Sequence, residues 1–181
     1  MRILTEDTMA LVIDYQEKLI PVMWEKEELL HNTEILLRGL NILEIPAIVS
    51  QQYTKGIGMT VGGIRSAFGE EFCYHDKITF SCYEDENIRA QIKELNRKNI
   101  LICGIEAHIC VLQTAVDLIA EGYRVILIED CISSRKKNDR KIALRRAAGE
   151  GALISTYESI LFELTRKAGS DTFKSISKLI K

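Results

Sequence analysis

Apolar residues in this chain alternate between short unbroken runs and longer stretches with a three-to-four-residue period, which predicts strands followed by helices. The unbroken runs are Met9–Ile13, Pro46–Ser50, Ile100–Cys103, Val125–Ile128 and Ala152–Ser155, with a shorter strand expected around Phe72–Tyr74. Runs of this kind, rich in Val and Ile, suit strands buried on both faces. Helical periodicity covers Glu27–Leu43 through Leu30, Ile35, Leu36, Leu40 and Leu43, and Glu84–Lys98 through Ile88, Ile92 and Leu95. It returns from Cys110 through Val111, Leu112, Ala115, Val116, Leu118 and Ile119 and stops at Gly122. Further helices are expected over Asp139–Ala148 and Tyr157–Lys167, followed by a short amphipathic tail. Pro21 suits the first turn of a helix.

Strands alternating with helices predict βαβ units, right-handed crossovers and a mainly parallel sheet. The expectation is a single α/β domain over residues 1–181: a three-layer α/β/α, Rossmann-like, doubly wound sheet of six strands in the order 3-2-1-4-5-6. That order makes the first and fourth strands neighbours, and ligands bind outside the carboxyl ends at such a switch point. Two chemically unusual residues fall there. Asp14 ends the first strand, where a buried charge needs a partner or a task. Cys110 follows the fourth strand, past the break at Gly104 and the polar Glu106 and His108, near the start of a helix. The positive end of that helix is expected to favour thiolate over thiol.

Composition narrows the classes. Hydrophobic residues at 46% and charged residues at 28% describe an ordinary globular domain. With 24 Lys+Arg against 26 Asp+Glu, no overall charge steers the chain to nucleic acid or a membrane surface. The basic run Arg135–Lys141 contains Asp139 and reads as a solvated helix face. The opening residues lack a signal-peptide core, and no apolar stretch could span a bilayer. The cysteines at 73, 82, 103, 110 and 131 show no CxxC pairing, so reduced thiols in the cytoplasm are expected. No Gly-x-Gly-x-x-Gly or Walker loop follows a strand, so no nucleotide cofactor is expected. The loop QQYTKGIGMTVGG after the second strand has the polar and aromatic content of a pocket lining.

Several motifs together resemble the isochorismatase-like cysteine hydrolases, a superfamily that includes nicotinamidase and N-carbamoylsarcosine amidohydrolase. They are Asp14-x-Gln16 after an apolar strand, Lys77-x-x-Phe80-Ser81, and Cys103-Gly104-Ile105-Glu106-Ala107-His108-Ile109-Cys110-Val111. Glu129–Arg135, Gly151-Ala152 and Thr156-x-Glu158 also match, so the likeness runs along essentially the whole chain. The loop Gln52–Gly56 resembles the isochorismatase domain-containing branch.

The resemblance implies the isochorismatase-like hydrolase fold and an Asp14–Lys77–Cys110 triad. Cys110 would be the nucleophile and Asp14 its proton acceptor, with Lys77 orienting Asp14 and favouring the thiolate. It further implies a cis Ile105–Glu106 peptide and an oxyanion hole from the backbone N–H groups of Glu106 and Cys110. The implied reaction is hydrolysis of an amide or related C–N bond through a thioester, with no cofactor. Two departures shape the pocket. Ser50-Gln51-Gln52-Tyr53 stands where nicotinamidases carry an Asp-x-His metal cluster, so no metal is expected. Leu19 stands where the family has a stacking aromatic. A small neutral amide or ureide is therefore the expected substrate, rimmed by Tyr15, Gln16, Gln52, Tyr53, Phe80, Tyr83, Glu106 and His108. No nucleic-acid or membrane partner is expected. A homo-oligomer is, with Met23 and Trp24 as apolar contact surface. Two other classes stay open: a catalytically silent binding or scaffold homologue, and a thiol redox protein, although no resolving cysteine is spaced near Cys110.

Overall fold

A computed structural model describes residues 2–181, apart from the side chain of Glu71. Six strands, β1 (Thr8–Ile13), β2 (Ala47–Gln52), β3 (His75–Lys77), β4 (Asn99–Ile105), β5 (Arg124–Ser133) and β6 (Leu153–Ser155), form one sheet in the order β3-β2-β1-β4-β5-β6. Every neighbouring pair is parallel, so the strands' carboxyl ends share one edge. The order agrees with the pattern-based expectation. The β1–β4 register runs from Thr8 against Asn99 to Ile13 against Gly104, and it fixes Asp14 beside the start of the Cys110 segment.

The helices are α1 (Lys26–Ile42), two short ones in the loop after β2, α2 (Thr54–Ile57) and α3 (Gly62–Phe68), then α4 (Glu86–Leu95), α5 (Leu112–Ala120), α6 (Lys137–Gly149), α7 (Tyr157–Thr165) and α8 (Asp171–Ile180). Asp85 caps α4, accepting from the N–H groups of Asn87 and Ile88, and Thr156 and Ser170 cap α7 and α8. Successive strand residues point to opposite faces, and this divides the core. Ala10 and Val12 join Leu36, Leu37, Leu40, Ile160, Leu161 and Ile176 under α1, α7 and α8. Met9, Leu11 and Ile13 join Ile88, Ile92, Ala115, Leu118 and Ala147 under α4, α5 and α6.

Two boundaries differ from expectation in ways that bear on the site. The edge strand β3 lies at His75–Lys77 rather than around Phe72–Tyr74. Main-chain pairing to Ser50, Gln51 and Gln52 defines it, not an apolar run, and Lys77 is thereby the last residue of a strand. Between β4 and α5 the chain makes a π-helical turn, Ala107–Val111, that carries Cys110. Gly104 enters that turn at φ 149°, where a Cβ would lie 2.6 Å from the Ile13 carbonyl oxygen. Only glycine lets β4 press this closely on the end of β1.

Candidate active site

The sheet order brings three strand ends together. Asp14 leaves β1 with φ 55°, a left-handed conformation that aspartate tolerates better than most residues. Lys77 ends β3, two strands away, and its Nζ donates to Asp14 Oδ2 at 2.9 Å; both side chains are completely buried. The Ser50 hydroxyl donates to Asp14 Oδ1 at 2.8 Å, so each carboxylate oxygen has its own donor. The Lys77 ammonium also meets Gln52 Oε1 at 2.6 Å and the carbonyls of Thr79 and Phe80 at 3.2 and 3.3 Å. Taking two charges out of water is costly unless hydrogen bonds saturate them, and these do. Burial would lower the Lys77 pKa, but Asp14 and neighbouring groups outweigh it and hold the ammonium above its ordinary value.

The Cys110 thiol lies beside the Asp14 carboxylate and the Lys77 ammonium and keeps a small opening to solvent at 6% exposure. Burial first, then the Asp14 carboxylate, push this thiol well above the usual range, while Lys77 acts in the opposite sense. The expectation of a resting thiolate is therefore corrected. A neighbouring carboxylate and a dry environment outweigh the helix terminus, and the resting group is a thiol. With limiting iodoacetamide near neutral pH, exposed Cys73 is labelled before Cys110, and Cys110 labelling rises about tenfold per pH unit to about pH 10. Peptide mass spectrometry after timed quenching checks this, and a Cys110 rate that levels off below about pH 8 would contradict it.

A second thiol, overlooked in the sequence, lies beside the same pair. Cys82 contacts the Ser50 hydroxyl at 3.5 Å and is completely buried. Burial pushes its thiol up to about 11, with Lys77 pulling the other way. The apolar ITFSCY segment directly after Lys77 was the available signal for it. Cys110 differs in touching Asp14 and in reaching the surface.

The expected rim divides into residues near Asp14, Lys77 and Cys110 and residues turned away. Gln52 contacts Lys77, and Gln16 is fully buried against Gln52. Tyr53 and Phe80 are half exposed beside this end of the sheet, the Tyr53 N–H donating to the Lys77 carbonyl. His108 lies in the Cys110 turn, with Nδ1 2.9 Å from the Ser134 hydroxyl. Tyr15 does not line a rim: its hydroxyl donates to the Cys131 carbonyl and contacts Thr33, inside the core under α1. Tyr83 is also turned away, with its hydroxyl on Glu121 and its ring edge-on to Tyr123. The Glu106 carboxylate faces Arg135, whose Nε donates at 3.0 Å. The Ile105–Glu106 peptide is cis. No group of three or more His, Cys, Asp or Glu side chains among the described residues could hold a metal ion, and none of the described helices is long and apolar enough to cross a membrane.

Comparison with known proteins places this geometry. The isochorismatase domain model matches residues 8–159. The secreted isochorismatase effector Isc1 of Phytophthora sojae is 36% identical over 183 residues, spanning 99% of this chain and 87% of that protein. Isochorismatase domain-containing protein 2 of Danio rerio is 34% identical, spanning 99% and 89%. Among solved structures, the MAR1 ribonuclease of Caenorhabditis elegans superposes with a TM-score of 0.93 at 33% identity, covering 99% of this chain and 92% of that one. The YcaC gene product of Escherichia coli, described as an octameric hydrolase of unknown specificity, shares the fold with a TM-score of 0.91 at 21% identity. The match covers the strands that carry Asp14, Lys77 and Cys110, and the chain belongs to the isochorismatase family of hydrolase-fold proteins.

Proposed function

We propose that the protein is a cysteine hydrolase that cleaves a C–N bond of a small neutral amide or ureide. One observation carries the reading: a slightly exposed thiol lies beside a buried carboxylate that an ammonium holds in place. In the first step Cys110 Sγ attacks the carbonyl carbon while its proton passes to Asp14. The raised thiol pKa suits this role, because the proton leaves only as the new C–S bond forms. The developing oxyanion meets the backbone N–H groups of Glu106 and Cys110. Asp14 then gives the proton to the leaving nitrogen, and ammonia or an amine departs to leave a thioester. Water, deprotonated by Asp14, adds to the thioester and releases the acid and the Cys110 thiol. Lys77 stays charged throughout, offsetting the negative charge on Asp14 and sulfur.

Tyr53, Phe80 and His108 are assigned to the pocket rim, and the reaction needs no metal or organic cofactor. All five cysteines are free, which supports a reducing, cytoplasmic setting, although the Phytophthora relative is a secreted protein. We assign a homo-oligomeric state, supported by the octamer of the YcaC neighbour and by apolar Val22, 55% exposed beside Met23 and Trp24. Light scattering at micromolar concentration checks it, and a sharp monomer would count against it.

The test of function is a screen of primary amides, ureides and carbamoyl compounds read by ammonia release, with Cys110→Ala as the blank. Hydrolysis by the native chain and none by the variant supports the reading. RNA is included because the C. elegans neighbour is named a ribonuclease, although this chain's net charge of −2 offers no general attraction to phosphates. RNA cleavage without amide hydrolysis, or amide turnover retained in Cys110→Ala, would overturn it.

A further inference from the structure

Two glutamine side chains form a continuous brace across three adjacent strand ends. Gln16, just after β1 and fully buried, accepts at Oε1 from the Gln52 N–H at 2.7 Å. Its Nε2 donates to the carbonyls of Gln52 and Gly58 at 3.0 and 2.7 Å. Gln52, the last residue of β2, gives its own Nε2 to the Ile78 carbonyl at 2.9 Å and accepts from Lys77 at Oε1. Both ends of each amide are thus committed within the protein. Of the four oxygens around the Lys77 ammonium, Gln52 Oε1 is the nearest, at 2.6 Å against 2.9 Å for Asp14.

A flexible ammonium that pairs with a carboxylate and acts on a nearby thiol keeps both effects only if something fixes its position. We propose that Gln52, itself fixed by Gln16, is a positioning residue that holds the Lys77 ammonium against Asp14 and Cys110, in place of the substrate-binding role expected for both glutamines. The inference rests on the reading of Cys110 as nucleophile, but its main test reads the thiol directly and needs no turnover.

Gln52→Glu sets a second carboxylate against Lys77 and offsets the cation's pull on the Cys110 thiol. Cys110 in this variant reacts with iodoacetamide about 3- to 10-fold more slowly than in the native chain at the same alkaline pH, with Cys73 unchanged as internal reference. A residue that merely supported the loop would give the opposite sign, because loosening the site exposes a buried thiol. Gln52→Met removes the acceptor but adds no charge. On an amide found by the screen it lowers kcat about tenfold and leaves KM unchanged, whereas a substrate-contacting amide would raise KM. Unchanged or faster Cys110 labelling in Gln52→Glu, or a KM-only effect in Gln52→Met, overturns the proposal. Turnover retained in Cys110→Ala overturns the hydrolase reading instead, and leaves the labelling result to stand or fall alone.

Discussion

Asp14→Asn makes Cys110 more reactive toward iodoacetamide by on the order of 10- to 1,000-fold near neutral pH while removing hydrolysis. The two effects share one cause. The carboxylate raises the thiol's pKa and, in the proposed mechanism, accepts its proton, whereas Lys77 lowers that pKa. Removing the negative charge leaves the ammonium as the neighbouring charge, so the thiolate fraction rises and alkylation quickens. On the proposed mechanism the same exchange deletes the general base, a loss of roughly 10²- to 10⁴-fold in turnover. Asparagine keeps the left-handed backbone that Asp14 adopts, and Lys77 keeps Gln52 and the carbonyls of Thr79 and Phe80. Timed labelling with peptide mass spectrometry is the measurement, with buried Cys82 reporting on the integrity of the site. Faster labelling of Cys110 with Cys82 still protected is expected. Slower or unchanged labelling of Cys110 would show that Asp14 does not hold its proton.

Lys77→Met lowers stability by about 3–5 kcal/mol, the usual consequence of leaving one partner of a buried ion pair behind. For a domain of this size that is a fall of roughly 6–20 °C in Tm. Without Lys77 the buried carboxylate keeps the Ser50 hydroxyl and lies beside the Cys110 thiol, neither of which carries positive charge. The pair also has a pH signature. Lys77 titrates above its unfolded value of 10.5, so its stabilising contribution is complete below that pH and is lost as pH climbs through the raised folded value. The gap in Tm between native and Lys77→Met chains is therefore constant near neutrality and narrows above about pH 10.5. Scanning calorimetry across pH checks both parts, and a Tm shift under about 2 °C would mean that the pair is not buried in solution.

Much of this arrangement was legible in the order of residues, because a doubly wound parallel sheet buries its central strands on both faces and writes them as plain apolar runs. Asp14 stood out as a charge ending such a run, and Cys110 as a thiol between a strand and a helix. β3 was misplaced because an edge strand held by main-chain pairing carries no apolar signature, and His75-Asp76-Lys77 looks like a loop. Tyr15 and Tyr83 were set on the rim by proximity in sequence to Asp14 and Lys77. Their directions depend on distant partners, Thr33 and Cys131 for one and Glu121 for the other. The protonation of Cys110 was misjudged for a different reason: the helix start and Lys77 were weighed above burial and the Asp14 carboxylate, the two causes that raise the thiol most.

The strand order also sets a timetable for biosynthesis. Asp14, Ser50, Gln52, Lys77 and Cys110 are all synthesised before β5, β6 and the last three helices. Yet the apolar side of α1 is closed by α7 and α8, and the Ile3 N–H and Thr5 hydroxyl bond to Glu163 and Leu164. A nascent chain that already holds every residue of the candidate site thus lacks α7 and α8, which help to brace β1. The candidate site waits, complete in its residues but unsupported, until the final segment folds back onto the beginning of the chain.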